Sequence, residues 1–311
     1  MSRLLHAGNA IVDIAFAVSA LPEAGGDVLA SSSSVTAGGA FNTLVAAQRD
    51  GLEAVHLGPV GTGPFADIVR SALAREEVTF AGSTMADLDT GCSVVLVDAS
   101  AERTFVTRVG AEGELTREML DRVEVEASDI VVVSGYGLAH PSNARAVPDW
   151  LDDLPTAVRV VFDPSPLIGT LPREPLERLL ARADIVTANA REARLMTGAE
   201  RAATGADVLL ARLVEASPGL QRAAIVRDGA EGCWVATSGG PLERIPGFAI
   251  TAVDTTGAGD THCGVLCAAL SRGSSLADAA RRANAAAALA VAEHGAATAP
   301  TSAAIDALLA R

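Results

Sequence analysis

From Gly110 onward the chain repeats one unit, a short continuous apolar run followed by a segment with helical spacing. The runs are Ile130 to Ser134, Val158 to Phe162 and Ile185 to Ala188, and the helical segments are Arg117 to Val123, Asn143 to Leu151 and Leu176 to Arg182. A strand that is apolar at every position has no polar face to turn toward water. Alternating such strands with helices predicts a parallel sheet covered on both sides, an α/β fold. Ligands of these sheets bind beyond the carboxyl ends of the strands, so the polar residues that follow each run are the candidates for chemistry. They are Asp163, then Asn189 with Glu192, then Arg227-Asp228-Gly229 after Ala224 to Val226, and finally Asp254 to Asp260 after Ile250 to Val253, which reads as a fourth strand.

The N-terminal part departs from this rhythm. Leu4 to Ile14 reads as a strand broken by Gly8-Asn9, with Asp13 set among apolar residues where it meets either a ligand hydroxyl or a structural hydrogen bond. A serine-rich stretch then turns through Gly38-Gly39 into a helix over Thr43 to Arg49, with Asn42 on its first turn. Thr90 to Val97 and Thr104 to Val109 alternate around a polar turn, Asp98 to Glu102, and predict an inserted hairpin. With Val28 to Val35 it would form a small sheet covering a site, a lid built from about 12–36 and 89–109. Arg103, at that turn, either meets an anionic substrate or is solvated. A single domain is expected over 1–311, with no repeat and no separate second unit.

Charge and residue usage exclude several classes. A net charge of −14 leaves no basic surface for nucleic acid or an anionic membrane. All 24 basic residues are arginine, and the absence of lysine removes the lysine phosphate loop and Schiff-base chemistry. Cys92, Cys233, Cys263 and Cys267 lack metal-ligand spacing and read as reduced, and neither a signal sequence nor a membrane-spanning run is read, so a cytoplasmic location is expected. His262 reads as packing at a helix start.

The stretch Asp254-Thr255-Thr256-Gly257-Ala258-Gly259-Asp260, followed by the helical Thr261 to Leu270, predicts backbone N–H groups facing an anion at a helix start. A carboxylate beside an anion site costs electrostatic energy unless it has a task such as accepting a proton, which singles out Asp260. Gly61, Gly63 and Ala66 instead match the dinucleotide fingerprint, so an NAD(P)-dependent oxidoreductase is a rival. Against it, Pro64 sits inside the motif and the next run, Thr79 to Gly82, lacks an acid at its end.

These segments together resemble the ribokinase/PfkB family of carbohydrate and nucleoside kinases. The similarity runs through Asn9 to Asp13, Gly38 to Asn42, Gly58 to Asp67, Asn189 to Glu192, Gly229 to Gly232 and, most specifically, Asp254 to Asp260. The resemblance implies a ribokinase-like three-layer α/β/α sandwich with a mostly parallel central sheet and a small β-sheet lid. It implies ATP-dependent phosphorylation of a hydroxyl, a hydroxymethyl group foremost, of a small sugar or nucleoside-like substrate. Asp260 would be the base and the N–H groups of Gly257, Ala258 and Gly259 the anion hole. Asp13, Gly39 and Asn42 would bind substrate, and Asn189, Gly229, Gly232 and Asn284 the nucleotide. Asn189 and Glu192 would organise Mg²⁺ through water. A monovalent cation such as K⁺ near Asp254 and Gly295-Ala296, and a homodimer through the lid, are further implications. Arg227 stands where the family carries threonine, a cation that would serve a phosphate instead, and the double glycine lies one residue closer to Asn42 than usual. A non-catalytic sugar-binding regulator on the same fold is the remaining alternative, which an intact Asp260 opposes.

Overall fold

The computed structural model describes residues 2–99 and 102–311. In chain order its strands are β1 (Arg3–His6), β2 (Ala10–Ala17), β3 (Ser32–Gly39), β4 (Glu53–His56), β5 (Thr79–Phe80), β6 (Cys92–Val97) and β7 (Arg103–Arg108). They continue with β8 (Ile130–Ser134), β9 (Arg159–Asp163), β10 (Ile185–Asn189), β11 (Ala223–Arg227), β12 (Gly232–Thr237) and β13 (Glu243–Pro246). Nine of them form one sheet in the order β13-β12-β11-β10-β9-β8-β1-β4-β5, parallel from β5 to β11 and antiparallel at β12 and β13. The other four form a small separate sheet, β3-β2-β6-β7.

Apolar residues occupy consecutive positions because both faces of the large sheet are covered. Leu4, Val132, Val161 and Ile225 pack on one side with Leu44, Leu266 and Ala283, while Leu5, Val131, Phe162 and Ala224 pack on the other with Val147, Leu179 and Leu209. Burying each such Val, Leu or Phe side chain stabilises by about 1.5–3 kcal/mol. Helices Ala40–Arg49, Ala258–Ser271 and Leu276–Ala290 build the first layer, and Pro141–Asp152, Arg173–Arg182 and Ala202–Ala216 the second.

The break at Gly8-Asn9 divides the first expected strand between two sheets: β1 lies inside the large one, between β8 and β4, and β2 in the small one. The helix expected from Thr43 begins at Ala40, directly after Gly39 closes β3. The inserted hairpin is present as β6 and β7, and β2 joins it in parallel, so the small sheet is mixed. Within the expected turn, Ser100 and Ala101 lie outside the described residues.

One expected strand is absent. Residues 250–253 form no strand; the backbone N–H groups of Val253 and Asp254 instead donate to the carbonyl of Val291 at 2.7 and 3.1 Å, tying this segment to the end of helix Leu276–Ala290. The apolar run is held by a helix terminus, and the turn at Asp254 reaches the sheet's rim from outside the sheet.

Candidate active site

Three neighbouring strands of the large sheet end in charged or amide side chains, and the register aligns them. Ser134 pairs with Asp163 and Asn189 with Arg227, so β8 to β11 present their ends along one rim. Helix Ala258–Ser271 aims its N-terminus at this rim. Its N-cap, Gly257, has φ 71°, and a Cβ there would lie 2.1 Å from the Ala296 carbonyl oxygen, so both conformation and space require glycine. The Ala258 N–H makes a long 3.4 Å bond to Thr255, whereas those of Gly257 and Gly259 have no partner among the described residues. Two unsatisfied donors at the positive end of a helix favour an anion.

Asp260, on the first turn, accepts from Asn42 Nδ2 at 3.0 Å and from Thr43 Oγ1 at 3.4 Å. Burial pushes its carboxyl up to about 7, with the negative charge of Asp163 adding, against the Asn42 hydrogen bond and the Arg227 charge. Asp13, on β2, has no hydrogen-bond partner among the described residues, and burial pushes it up to about 6. Its carboxylate lies where a Cβ on Gly38 would stand, 1.9 Å from Oδ2, so the glycine of β3 gives the acid its place. Asn42 Oδ1 is buried without a partner, and Gly39, with φ 64°, is the adjacent residue of β3. Asp13, Asn42 and Asp260 thus come together where the small sheet meets the large one.

On the other side of Asp260, Asn189 and Glu192 form a reciprocal capping box: Asn189 Oδ1 accepts from Glu192 N at 2.9 Å and Glu192 Oε2 from Asn189 N at 2.8 Å. Glu192 is buried, which with the charge of Asp163 raises its carboxyl, opposed by Arg227. Oε1 of Glu192 accepts no hydrogen bond among the described residues. No group of three or more His, Cys, Asp or Glu side chains among the described residues is placed to hold a metal ion. Hard oxygen donors with one acceptor free suit Mg²⁺ bound mainly through water and phosphate oxygens, and not an ion caged by protein.

The remaining expected residues divide. Gly229 and Gly232 flank the turn after β11, both with positive φ, and Gly232 starts β12. Asn284 directs its amide nitrogen to the carbonyls of Ile245 and Pro246 at 3.1 and 3.2 Å, so that group braces the end of β13. Arg103 stands at the start of β7 and pairs with Asp254, which therefore takes the contact expected of a substrate anion. Arg227 faces Asp163 and the Gly259 carbonyl, each at 3.0 Å. His262 is buried in the helix, as its packing role requires, and all four cysteines are free.

Two contributors carried no signal of their own. Thr43 reaches Asp260 only because its helix packs against Ala258–Ser271. Tyr136, the sole tyrosine, lies half exposed after β8, and its phenol is pushed up to about 12, first by burial and then by the charges of Asp260, Asp163, Glu192 and Asp13. Asp163 was legible as a strand-end acid. The Gly61–Ala66 turn, by contrast, is already filled: Asp89 accepts from the N–H groups of Phe65 and Ala66 at 3.2 and 2.9 Å, where a dinucleotide's pyrophosphate would sit.

An α/β/α sandwich with a small sheet beside the strand-end rim defines the ribokinase fold. A ribokinase from Giardia lamblia superposes with a TM-score of 0.86 at 20% identity over 99% of both chains. A putative ribokinase II from Escherichia coli, in complex with ATP and Mg²⁺, superposes with a TM-score of 0.82 at 20% identity, covering 100% of this chain and 99% of that one. In sequence, residues 1–303 match the model of the pfkB family carbohydrate kinases. The uncharacterised sugar kinase YegV of Escherichia coli K12 is 36% identical over 299 residues, 94% of this chain and 90% of that protein. The ribokinase of Haemophilus influenzae is 30% identical over 82% of this chain and 80% of its own length. The chain belongs to the pfkB family and is a carbohydrate kinase.

Proposed function

We propose that this kinase transfers the γ-phosphoryl group of ATP to a hydroxymethyl group of a small sugar or nucleoside-like substrate, with Asp260 as general base. The observation that carries this reading is Asp260 itself: a carboxylate raised to about 7, held by Asn42 and Thr43, beside two unpartnered N–H groups at a helix N-terminus. At neutral pH such a group is partly ionised and a competent acceptor for an alcohol proton. The substrate oxygen loses its proton to Asp260 as it bonds to phosphorus, the bond to the ADP oxygen breaks, and charge on the phosphoryl oxygens faces Gly257 to Gly259.

Asp13 and Asn42 bind substrate hydroxyls: Asn42 Oδ1 is a buried acceptor without a partner, and the half-buried Asp13 carboxylate has no hydrogen-bond partner among the described residues. The small sheet is the lid over them, and the chain works as one domain with that insertion. Nucleotide lies along Asn189, Arg227, Gly229 and Gly232, with Asn284 supporting its pocket from behind. Asn189 and Glu192 hold Mg²⁺ through water; when bound, the ion neutralises phosphate charge. The positive charge at Asp254 comes from Arg103, so a monovalent cation such as K⁺ would have to share or displace that contact.

The edge of β7, unpaired among the described residues and with Phe105 57% and Val106 68% exposed, offers a surface for a homodimer through the lid. Free cysteines agree with a reducing cytoplasm, and among the described residues no helix is long and apolar enough to cross a membrane. The test is ADP release across ribose, ribose 1-phosphate, fructose, other sugars and nucleosides. Robust release with one of them, abolished in Asp260→Asn, is expected; no release with any would overturn the reading.

A further inference from the structure

Arg227 holds together parts of the site that the chain brings from three elements. It ends β11, and its guanidinium Nη1 donates both to Asp163 Oδ2, at the end of β9, and to the Gly259 carbonyl, on the first turn of helix Ala258–Ser271. Nη2 lies 3.6 Å from Glu192 Oε2, on the helix after β10. The side chain is 12% exposed, and its two acids are 17% and 3% exposed. A Cβ on Gly259 would lie 3.2 Å from Nη1, so glycine there leaves room for the fork.

The charge balance makes this arrangement consequential. Asp13, Asp163, Glu192 and Asp260 surround the place of transfer, while Arg103 is engaged by Asp254. Arg227 is the one guanidinium in hydrogen-bond contact with this group of acids among the described residues. A planar fork can satisfy a carboxylate and a carbonyl at once; a lysine ammonium carries the charge without that geometry.

We propose that Arg227 is a positioning residue of the transfer reaction: it locks the turn bearing Asp260 to the metal-side carboxylates and supplies the positive charge they need before a metal ion arrives. The proposal rests on Asp260 acting as base. It separates two duties, charge and geometry, which substitutions can split.

The experiment compares Arg227→Met and Arg227→Lys with the native enzyme by the pH dependence of kcat, by KM for the accepted sugar, and by calorimetric titration with MgCl₂ in the absence of nucleotide. The groups facing Asp260 are Asp163, Asp13, Tyr136 and Arg227, with Asn42 and Thr43 neutral. In Arg227→Met the acidic limb of kcat moves up by about one pH unit, since a nearby opposite charge is lost. Its kcat at neutral pH falls roughly tenfold with sugar KM little changed, and Mg²⁺ alone binds more tightly because the acids have lost their internal cation. In Arg227→Lys the limb stays near the native position while kcat remains about tenfold low, the fork being absent. An unshifted limb with unchanged Mg²⁺ affinity in Arg227→Met overturns the proposal. So does native kcat in Arg227→Lys, which decides the matter alone if Arg227→Met is recovered only as aggregate. Asp260→Asn separates the two claims: retained turnover there refutes the base, whereas its loss beside a native-like Arg227→Met refutes only the role of Arg227.

Discussion

The two ends of the turn Asp254 to Asp260 carry the same side chain and hold it in opposite states. At Asp254 burial works against ionisation, but Thr256 donates from both N and Oγ1 at 2.9 and 2.6 Å, Gly295 donates from its N–H at 3.1 Å, and Arg103 adds charge. The carboxyl is held below its usual range. At Asp260 burial prevails, Asp163 adds negative charge, and one amide with one long hydroxyl contact does not compensate, leaving the carboxyl at about 7. A permanently ionised, fully partnered acid anchors structure, while an under-partnered one near neutrality can exchange a proton. Environments that drive like groups apart mark which one does chemistry.

Asp260→Asn tests the end proposed as base most severely. Turnover should fall on the order of a hundredfold or more, with ADP affinity by calorimetry near native; a native kcat would erase the contrast. The native enzyme should lose kcat as pH falls through about 7, where Asp260 takes up its proton.

The anchoring end should respond differently. Asp254→Asn removes the charge partner of Arg103 and weakens the ties to Thr256 and Gly295, and should lower stability by about 1–2 kcal/mol in urea unfolding. Turnover should drop by less than in Asp260→Asn, and equal losses would mean the two acids act as one unit.

Stability against pH has opposite signs at the two positions. The folded state keeps a proton on Asp260 that the unfolded chain has released, so between the ordinary value of 3.8 and about 7 this group's contribution falls as pH rises. Asp254 contributes stability above 3.8 that is lost as pH falls through its depressed folded value. Thermal melts of Asp260→Asn should therefore gain on the native protein toward pH 8, and those of Asp254→Asn should converge with it in acid. The smallest effect belongs to Arg103→Ala. Loosening the hairpin end should raise sugar KM about two- to fivefold while costing roughly 1 kcal/mol or less, because the pair is partly exposed; an unchanged KM would detach the hairpin from the turn.

Much of this site was visible in the residues. Asp163, Asn189 and Arg227 could be placed on one rim because apolar strands ending in polar side chains leave little other geometry for a parallel sheet. Gly257 and Asp260 were marked by a local pattern whose N–H groups need no distant partner. What was misplaced depended on distant contacts. Ile250 to Val253 has the composition of a strand, yet its backbone bonds to Val291. Arg103 looked free for substrate, yet it meets an acid 151 residues away in the chain. For Asn284 the residues left a nucleotide and a neighbouring backbone equally open, and only the packing showed its amide nitrogen closing on β13.

The sequence alone determined the layered α/β fold and the polar strand-end rim, and it marked the glycine turn to which the proposed chemistry is assigned, since apolar period and glycine conformation act locally. Only the tertiary structure set the two aspartates of that turn apart, Asp254 held below the usual carboxylate range and Asp260 raised to about 7, as the proposed base requires. Proton affinity depends on the charges and donors that surround a carboxylate in space, and those arrive from Arg103, Asn42, Asp163 and Arg227, scattered along the chain.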